Sequence, residues 1–332
     1  MDFPVRKSFL GLSLHTDQFC LVEMGEEGVQ SVAIRELIQP FDLETFRIEG
    51  ELLNNQVEIL KDLYRRTGTS AKEVGVALNS GMVLVKKIPV ALGLEEEMLK
   101  NQMIWEAEQF LLTSLDNYVM DYQRLPFHTQ AGDPVYLMVL VRKIIIKKIR
   151  SLVEQVGLTL RDVDVDIFSN IRAILANYDL GTDEIAALVD IQREYISFVI
   201  INQREYFLSH QVSLQEGGTA SGLGGGSQIA DLLLKEFRRI IFGHRLGKGV
   251  EDLNRIFLLG SEGIENIFKE ISSAISVPLE IVNPFRRINI SQSVSQSSEV
   301  VEFPHRFVAS VGIALKKVPT LAKKGAGLGK TL

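Results

Sequence analysis

The sequence is poor in the residues on which secreted, metal-bound and membrane-spanning proteins depend. A single cysteine, Cys20, excludes an intramolecular disulfide, and its place inside an apolar β-rich run reads as a small buried side chain, not a redox centre. No apolar run approaches the ~18 residues that a membrane-crossing helix needs; the longest candidate is Val135 to Val141. The first residues carry no apolar stretch of the signal-peptide kind, so a cytoplasmic protein is expected. His15, His128, His210, His244 and His305 are scattered without the spacing of paired metal ligands and read as surface or turn residues, so no metal site is expected. There is no serine elbow, no cysteine-nucleophile context and no isolated carboxylate pair. Asp164 and Asp166 alternate on one strand face and read as solvated or capping residues. A net charge of −6 argues against nucleic acid as the main ligand.

What is present is a duplication. Residues Ser8 to Gln39 and Ile185 to Gln215 each read as three short strands joined by tight polar turns. In the first, the runs are Phe9 to Leu14, Phe19 to Met24 and Val29 to Ile38; in the second, Ile185 to Ile191, Tyr195 to Ile201 and Glu205 to Leu214. An offset of 177 (190 minus 13) lays Ser13-Leu14-His15 on Asp190-Ile191-Gln192. Each meander is followed by alternating helix and strand: Gly50 to Arg66 and Val74 to Leu78 in the first half, then Ile229 to Phe242, Arg255 to Leu259, Ile264 to Ile275, Leu279 to Val282 and Phe307 to Lys317 in the second. Two such units predict a duplicated α/β fold with a central cleft, its sheets covered by helices on both faces.

A segment in the first half does not belong to that plan. Strand Met82 to Ile88, helix Glu95 to Leu112, strand Tyr118 to Leu125, strand Val135 to Arg142 and helix Ile144 to Gln155 follow one another there. The helix carries Trp105-Glu106-Ala107-Glu108-Gln109-Phe110-Leu111, which contains the one Trp. Met98, Gln102, Trp105 and Gln109 run at helical spacing, which gives two readings. Trp105 packs under the inserted sheet, or the acidic pair Glu106 and Glu108 marks a face for a basic partner.

The Trp105 string after a strand like Met82 to Ile88 resembles the PilM family, cytoplasmic actin-like proteins of bacterial type IV pilus assembly, with an inserted subdomain shared with the cell-division protein FtsA. Asn117 to Tyr122, Val163 to Phe168, Val189-Asp190-Ile191, Leu279 to Arg286 and Val311 to Leu315 are similar to further stretches of that family, in order, from Phe9 to about Lys316. The resemblance implies an RNase H-like, actin-like fold with an FtsA-type insertion. Its first half covers 1–165 with the insertion at about 82–150, its second half covers 166–317, and a basic tail occupies 318–332. Family resemblance also implies a scaffold of a type IV pilus or related secretion machine, peripheral to the inner membrane. The expected partner is the cytoplasmic tail of a PilN-like bitopic protein, held at a groove edged by Met82, Val83, Leu84, Val85 and Lys87, with Trp105 and Glu106 nearby. Self-association is a further expectation. A cytoplasmic type II secretion component of the same fold and an active ATPase of the actin and sugar-kinase type are the alternatives.

Departures from the family pattern weigh on the enzyme reading. Actin-like proteins carry Asp-x-Gly at both first turns, where glycine admits phosphate to the backbone and aspartate holds Mg²⁺ or its waters. Here Ser13 and His15 stand at the first turn, and Asp190 and Gln192 at the second. The adenosine loop reads Gly260-Ser261-Glu262-Gly263, and the Gly-rich stretch 217–227 stands in place of a small helical subdomain. These changes predict a pseudo-ATPase with no cofactor, any ATP and Mg²⁺ binding being weak. The stretch Gly222 to Ser227 is an incomplete dinucleotide fingerprint, and Gly325 to Thr331 lacks the helix of a phosphate loop.

Overall fold

The computed structural model describes residues 8–46, 51–214, 226–260 and 263–318. The chain builds two five-stranded sheets in the same order. In the first, β1 (Phe9–Leu14), β2 (Gln18–Gly25) and β3 (Gly28–Glu36) form an antiparallel meander. Helix α1 (Glu51–Thr67) then leads to β4 (Glu73–Leu78), parallel to β1. The insertion follows: β5 (Val83–Pro89), α2 (Glu96–Phe110), β6 (Tyr118–His128) and β7 (Pro134–Arg142). Helix α3 (Lys143–Glu154) returns the chain to β8 (Thr159–Val165), parallel to β4, which completes the order β3-β2-β1-β4-β8.

Helix α4 (Asp166–Asn177) crosses to the second half, where β9 (Ile185–Ile191), β10 (Tyr195–Asn202) and β11 (Glu205–Ser213) repeat the meander. Helix α5 (Gly226–Gly243), β12 (Arg255–Gly260), α6 (Ile264–Ala274) and β13 (Leu279–Ile281) give the order β11-β10-β9-β12-β13. Two short helices, α7 (Gln292–Ser295) and α8 (Ser298–Glu302), precede α9 (Val308–Leu315).

The register of the two meanders is the same at the offset read from sequence. Ser13 faces Cys20 as Asp190 faces Ser197, and Gly25 faces Gly28 as Asn202 faces Glu205. The turns repeat too: His15 N donates to Gln18 O and Gln192 N to Tyr195 O, while Leu37 N donates to Asp17 O and Leu214 N to Glu194 O. Each pair differs by 177 (192 minus 15, 214 minus 37). A one-residue slip would turn every inward side chain outward, so shared register across both sheets is the physical signature of the duplication.

Helices cover both faces of each sheet. Leu60 and Leu63 of α1 and Ile145, Ile149 and Leu152 of α3 pack on the outer face of the first sheet with Leu10, Leu12 and Leu14. Leu233, Phe237 and Ile241 of α5 and Ile267 and Ile271 of α6 do the same for Val189, Phe198 and Leu258. Between the sheets lie α4 and α9, almost wholly buried, whose Ile171, Ile174, Val308 and Val311 share one core with Val22 and Leu188. Burial on both faces is why β1 and β9 read as unbroken apolar runs.

The stretch Val163 to Phe168 is the end of a sheet strand and the start of α4, a helix that was not among the elements read from sequence. The helix was legible: Ile167, Ile171, Ile174 and Leu175 recur at helical spacing after Asp166. The three-stranded sheet and α2 occupy 83–142, and α3, part of which was expected in the insertion, packs in the first-half core. Most of the Gly-rich stretch 217–227, Ser261, Glu262 and all but Val318 of the tail lie outside the described residues.

Candidate functional site

The ends of β1 and β9 approach one another where the two halves meet, and the turns that follow them carry the site. His15 and Gln192 each begin a tight turn in which the backbone N–H is spent on the carbonyl three residues on, at 3.0 and 2.9 Å. Neither N–H is left to meet a phosphate. Gln192 Nε2 donates to Asp190 Oδ1 at 2.5 Å, so the side chain that replaces glycine folds over the surviving aspartate. Across the junction Asn79 Nδ2 donates to the Tyr195 hydroxyl at 2.6 Å. Asn79 follows β4, and its Oδ1 accepts from Gly81 N at 2.7 Å, which fixes the amide's orientation.

Asp166 opens α4. Its Oδ1 accepts from Ile167 N at 2.7 Å and from Ser80 N at 3.0 Å, so the carboxylate satisfies a free N–H of the helix's first turn and holds the 79–81 turn to it. Burial pushes the Asp166 carboxyl up to about 7 against the pull of those N–H groups. The same cause, reinforced by the charge of Asp166, raises Asp190 to about 8. His15 is 3% exposed, and burial lowers it to about 4, opposed by Asp17 and assisted by Arg306, so the imidazole is neutral at pH 7. One ligand atom from each of His15, Asp166 and Asp190 lies within 4.8 Å of the other two.

Two readings of the sequence are corrected here. His15 and His305 are buried, not at the surface, because the fold closes over them, while His15 does stand at a turn. Asp164 and Asp166 are buried, not solvated: Asp164 pairs with Arg172 at 2.9 Å, whereas for Asp166 the capping reading stands, its Oδ1 accepting from Ile167 N. Asn79, Tyr195 and Arg306 also belong to the site's walls and were not singled out. Arg306 Nε donates to Gln18 Oε1 at 2.5 Å. The signal available was Asn79-Ser80-Gly81, a turn sequence directly after a strand.

Fitted against a nucleotide, these residues do poorly. Ser13 lies in the sheet, buried, opposite Cys20. Beside the turns, Thr16, Asp17, Leu37, Pro40, Arg193 and Glu194 line only a small cleft. Gly260 has φ +133°, and a β-carbon there would stand 2.0 Å from Ile191 O, so this glycine serves the close approach of β12 to β9. Gly263, at φ +87°, starts α6 in the left-handed conformation.

The expected peptide-binding residues fall on two different faces. On β5, Val83, Val85 and Lys87 point inward: Val83 and Val85 pack against the core between the sheets, and Lys87 Nζ sits 4.0 Å from the Phe207 ring centroid. Met82 is buried just before the strand. Leu84 and Lys86 point the other way, and Lys86 lies over Phe110 of α2. The other edge of β5 is unpaired by any described strand. Trp105 does not pack under the sheet. It is 59% exposed, because Leu99, Met103 and Ala107, on the opposite side of α2, fill the contact with Ile88, Met138 and Leu140. Glu106 is partly exposed on a flank of the same helix.

Among the described residues no helix is long and apolar enough to cross a membrane. The family model described as "Type IV pilus assembly protein PilM" matches residues 21–220. The fold resembles that of a PilM-PilN type IV pilus biogenesis complex at a TM-score of 0.73 and 19% identity, over 93% of this chain and 98% of that one. More distant likenesses are the cytoplasmic domain of EpsL, an inner membrane component of the Vibrio cholerae type II secretion system (TM-score 0.47, 11% identity, 96% of each chain), and a Bacteroides thetaiotaomicron protein with an actin-like ATPase fold (TM-score 0.47, 15% identity, 86% of this chain and 94% of that one). These two add no weight. Because the family model spans well over half of the 332 residues, the chain belongs to the PilM family of type IV pilus assembly proteins.

Proposed function

We propose that this protein is a cytoplasmic, actin-like scaffold without ATPase activity, held at the inner membrane through the cytoplasmic tail of a PilN-like bitopic protein. The observation that carries this reading is the closed pair of turns. His15 N and Gln192 N are engaged within their own turns, and Gln192 covers Asp190. Catalysis of phosphoryl transfer depends on positioned donors and metal around the transferring group, and these turns offer neither donor to a phosphate. The expected assay result is no Mg²⁺-dependent phosphate release above background; turnover abolished by Asp190→Ala would overturn it.

Partner binding draws support from the edge of β5 that no described strand pairs. An extended tail can add to that edge through main-chain hydrogen bonds, with side-chain selectivity from Leu84 and Lys86. Val83 and Lys87 are poor test sites, since both are engaged inside the molecule. Titration with tails of neighbouring-gene membrane proteins should instead give one bound peptide, weakened about tenfold by Leu84→Asp, which removes apolar contact and adds an unpaired charge at the rim. Unchanged affinity in that variant would move the site elsewhere.

A further inference from the structure

His15, Asp166 and Asp190 come from three parts of the chain: the β1–β2 turn, the first residue of α4 and the end of β9. Their ligand atoms converge within 4.8 Å in a buried spot between the halves. The carboxylates' hydrogen-bond partners are backbone N–H groups, the Ser80 hydroxyl and one side-chain amide, none of them cationic. A second, independent observation points the same way: His15 is 3% exposed, yet its Nδ1 has no hydrogen-bond partner. Buried polar atoms are nearly always satisfied, and an unpartnered nitrogen on an imidazole that reaches two acids calls for a missing group that accepts a lone pair and carries positive charge.

We propose that His15, Asp166 and Asp190 form a nucleotide-independent site for a divalent transition metal of the zinc class. One nitrogen and two carboxylate oxygens make a three-ligand protein set of the kind zinc takes, with further positions open to water. The imidazole selects Zn²⁺, Co²⁺ or Ni²⁺ over Mg²⁺, which prefers an all-oxygen shell. Because His15 belongs to the first half and Asp190 to the second, the ion would tie the halves together beside the Asn79–Tyr195 hydrogen bond. The site takes the position of a phosphate turn, but its histidine stands where a nucleotide-binding turn has glycine.

The test uses the full chain, stripped with chelator and free of nucleotide. Calorimetric titration should show one equivalent of Zn²⁺, bound at least about a hundredfold more tightly than Mg²⁺, and Co²⁺ should develop the visible absorption of a coordinated ion. His15→Gln and Asp190→Asn should each weaken Zn²⁺ binding by about tenfold or more, with unchanged circular dichroism. Should Asp190→Asn fail to fold, His15→Gln decides alone, since it leaves the turn's backbone bond in place. Four results would overturn the site: no Zn²⁺ or Co²⁺ uptake by folded protein, Mg²⁺ bound as tightly as Zn²⁺, uptake that requires ATP, or full affinity in both variants. ATP-dependent uptake would also count against the pseudo-ATPase reading, whereas the other three leave that reading untouched.

Discussion

The two halves share strand order, register and turn hydrogen bonds, yet equivalent positions do different work. Gly11 of β1 lies against α9, while its counterpart Leu188 (11 plus 177) fills the core between the sheets. Gln18 accepts from Arg306, while its counterpart Tyr195 (18 plus 177) meets Asn79 of the other half. Between β4 and α3 the first half carries the insertion, where the second passes almost directly from β12 to α6. Backbone pairing thus preserves the duplication while side chains at the seam are free to specialise, because register depends on which face each residue takes and not on its identity.

The largest effect is expected from forcing the halves to be alike. A β-carbon at Gly11 would stand 2.0 Å from the Ser310 carbonyl oxygen, so Gly11→Leu should push α9 off β1. A loss of about 3 kcal/mol or more is expected in urea or guanidinium unfolding, the upper range for overpacking. A loss below about 0.5 kcal/mol would mean that α9 shifts freely, at odds with a tightly packed core. Next comes the seam: Tyr195→Phe leaves the Asn79 amide buried without its acceptor and should cost about 1–2 kcal/mol. The same experiment with Gln18→Leu, which removes one acceptor of Arg306 and leaves its ion pair with Glu36, tests whether the two equivalent positions matter equally.

A smaller effect separates the β2–β3 turn from the β10–β11 turn. Where the first has Gly28, the second has Glu205, a carboxyl that burial pushes up to about 7. A folded value above the unfolded one means that the native state holds the proton more tightly, so this contribution is fully present below about pH 4.5 and is lost as pH rises through 7. Melting temperature should therefore fall more steeply between pH 5 and 8 in the natural protein than in Glu205→Gln. Parallel curves would show that the turn is solvated. Smallest of all is Trp105→Ala. With the residue 59% exposed, it should change stability by about 0.5 kcal/mol or less, whereas Met103→Ala on the packed side of α2 should cost about 2 kcal/mol or more. A red-shifted emission from the one Trp would give an independent check of its exposure.

The α2 helix also shows where sequence reading has a physical limit. Met98 and Trp105 run down one side, Leu99, Met103 and Ala107 down the other, and apolar spacing alone cannot say which stripe meets the sheet. The choice is made by fit: slim Met and Ala side chains allow α2 to lie close on Met138 and Leu140, where an indole would hold it away. By contrast, the missed α4 was a matter of weighting, since its period was in plain view.

Strand alternation, polar turns and the repeat at 177 residues determined the duplicated fold, because those signals are local and survive without knowledge of neighbours. The departures at Ser13, His15 and Gln192 were equally legible, being identities at known turns. What those residues do was decided by the tertiary structure. His15 reads as a lone turn histidine until the fold brings Asp166 and Asp190, more than a hundred residues away in sequence, to within 4.8 Å. Lys87 reads as a free rim charge until Phe207 of the other half comes under it. Burial, which sets the protonation of these groups and the partners open to them, is a property of the packed chain and is not carried by any stretch of sequence.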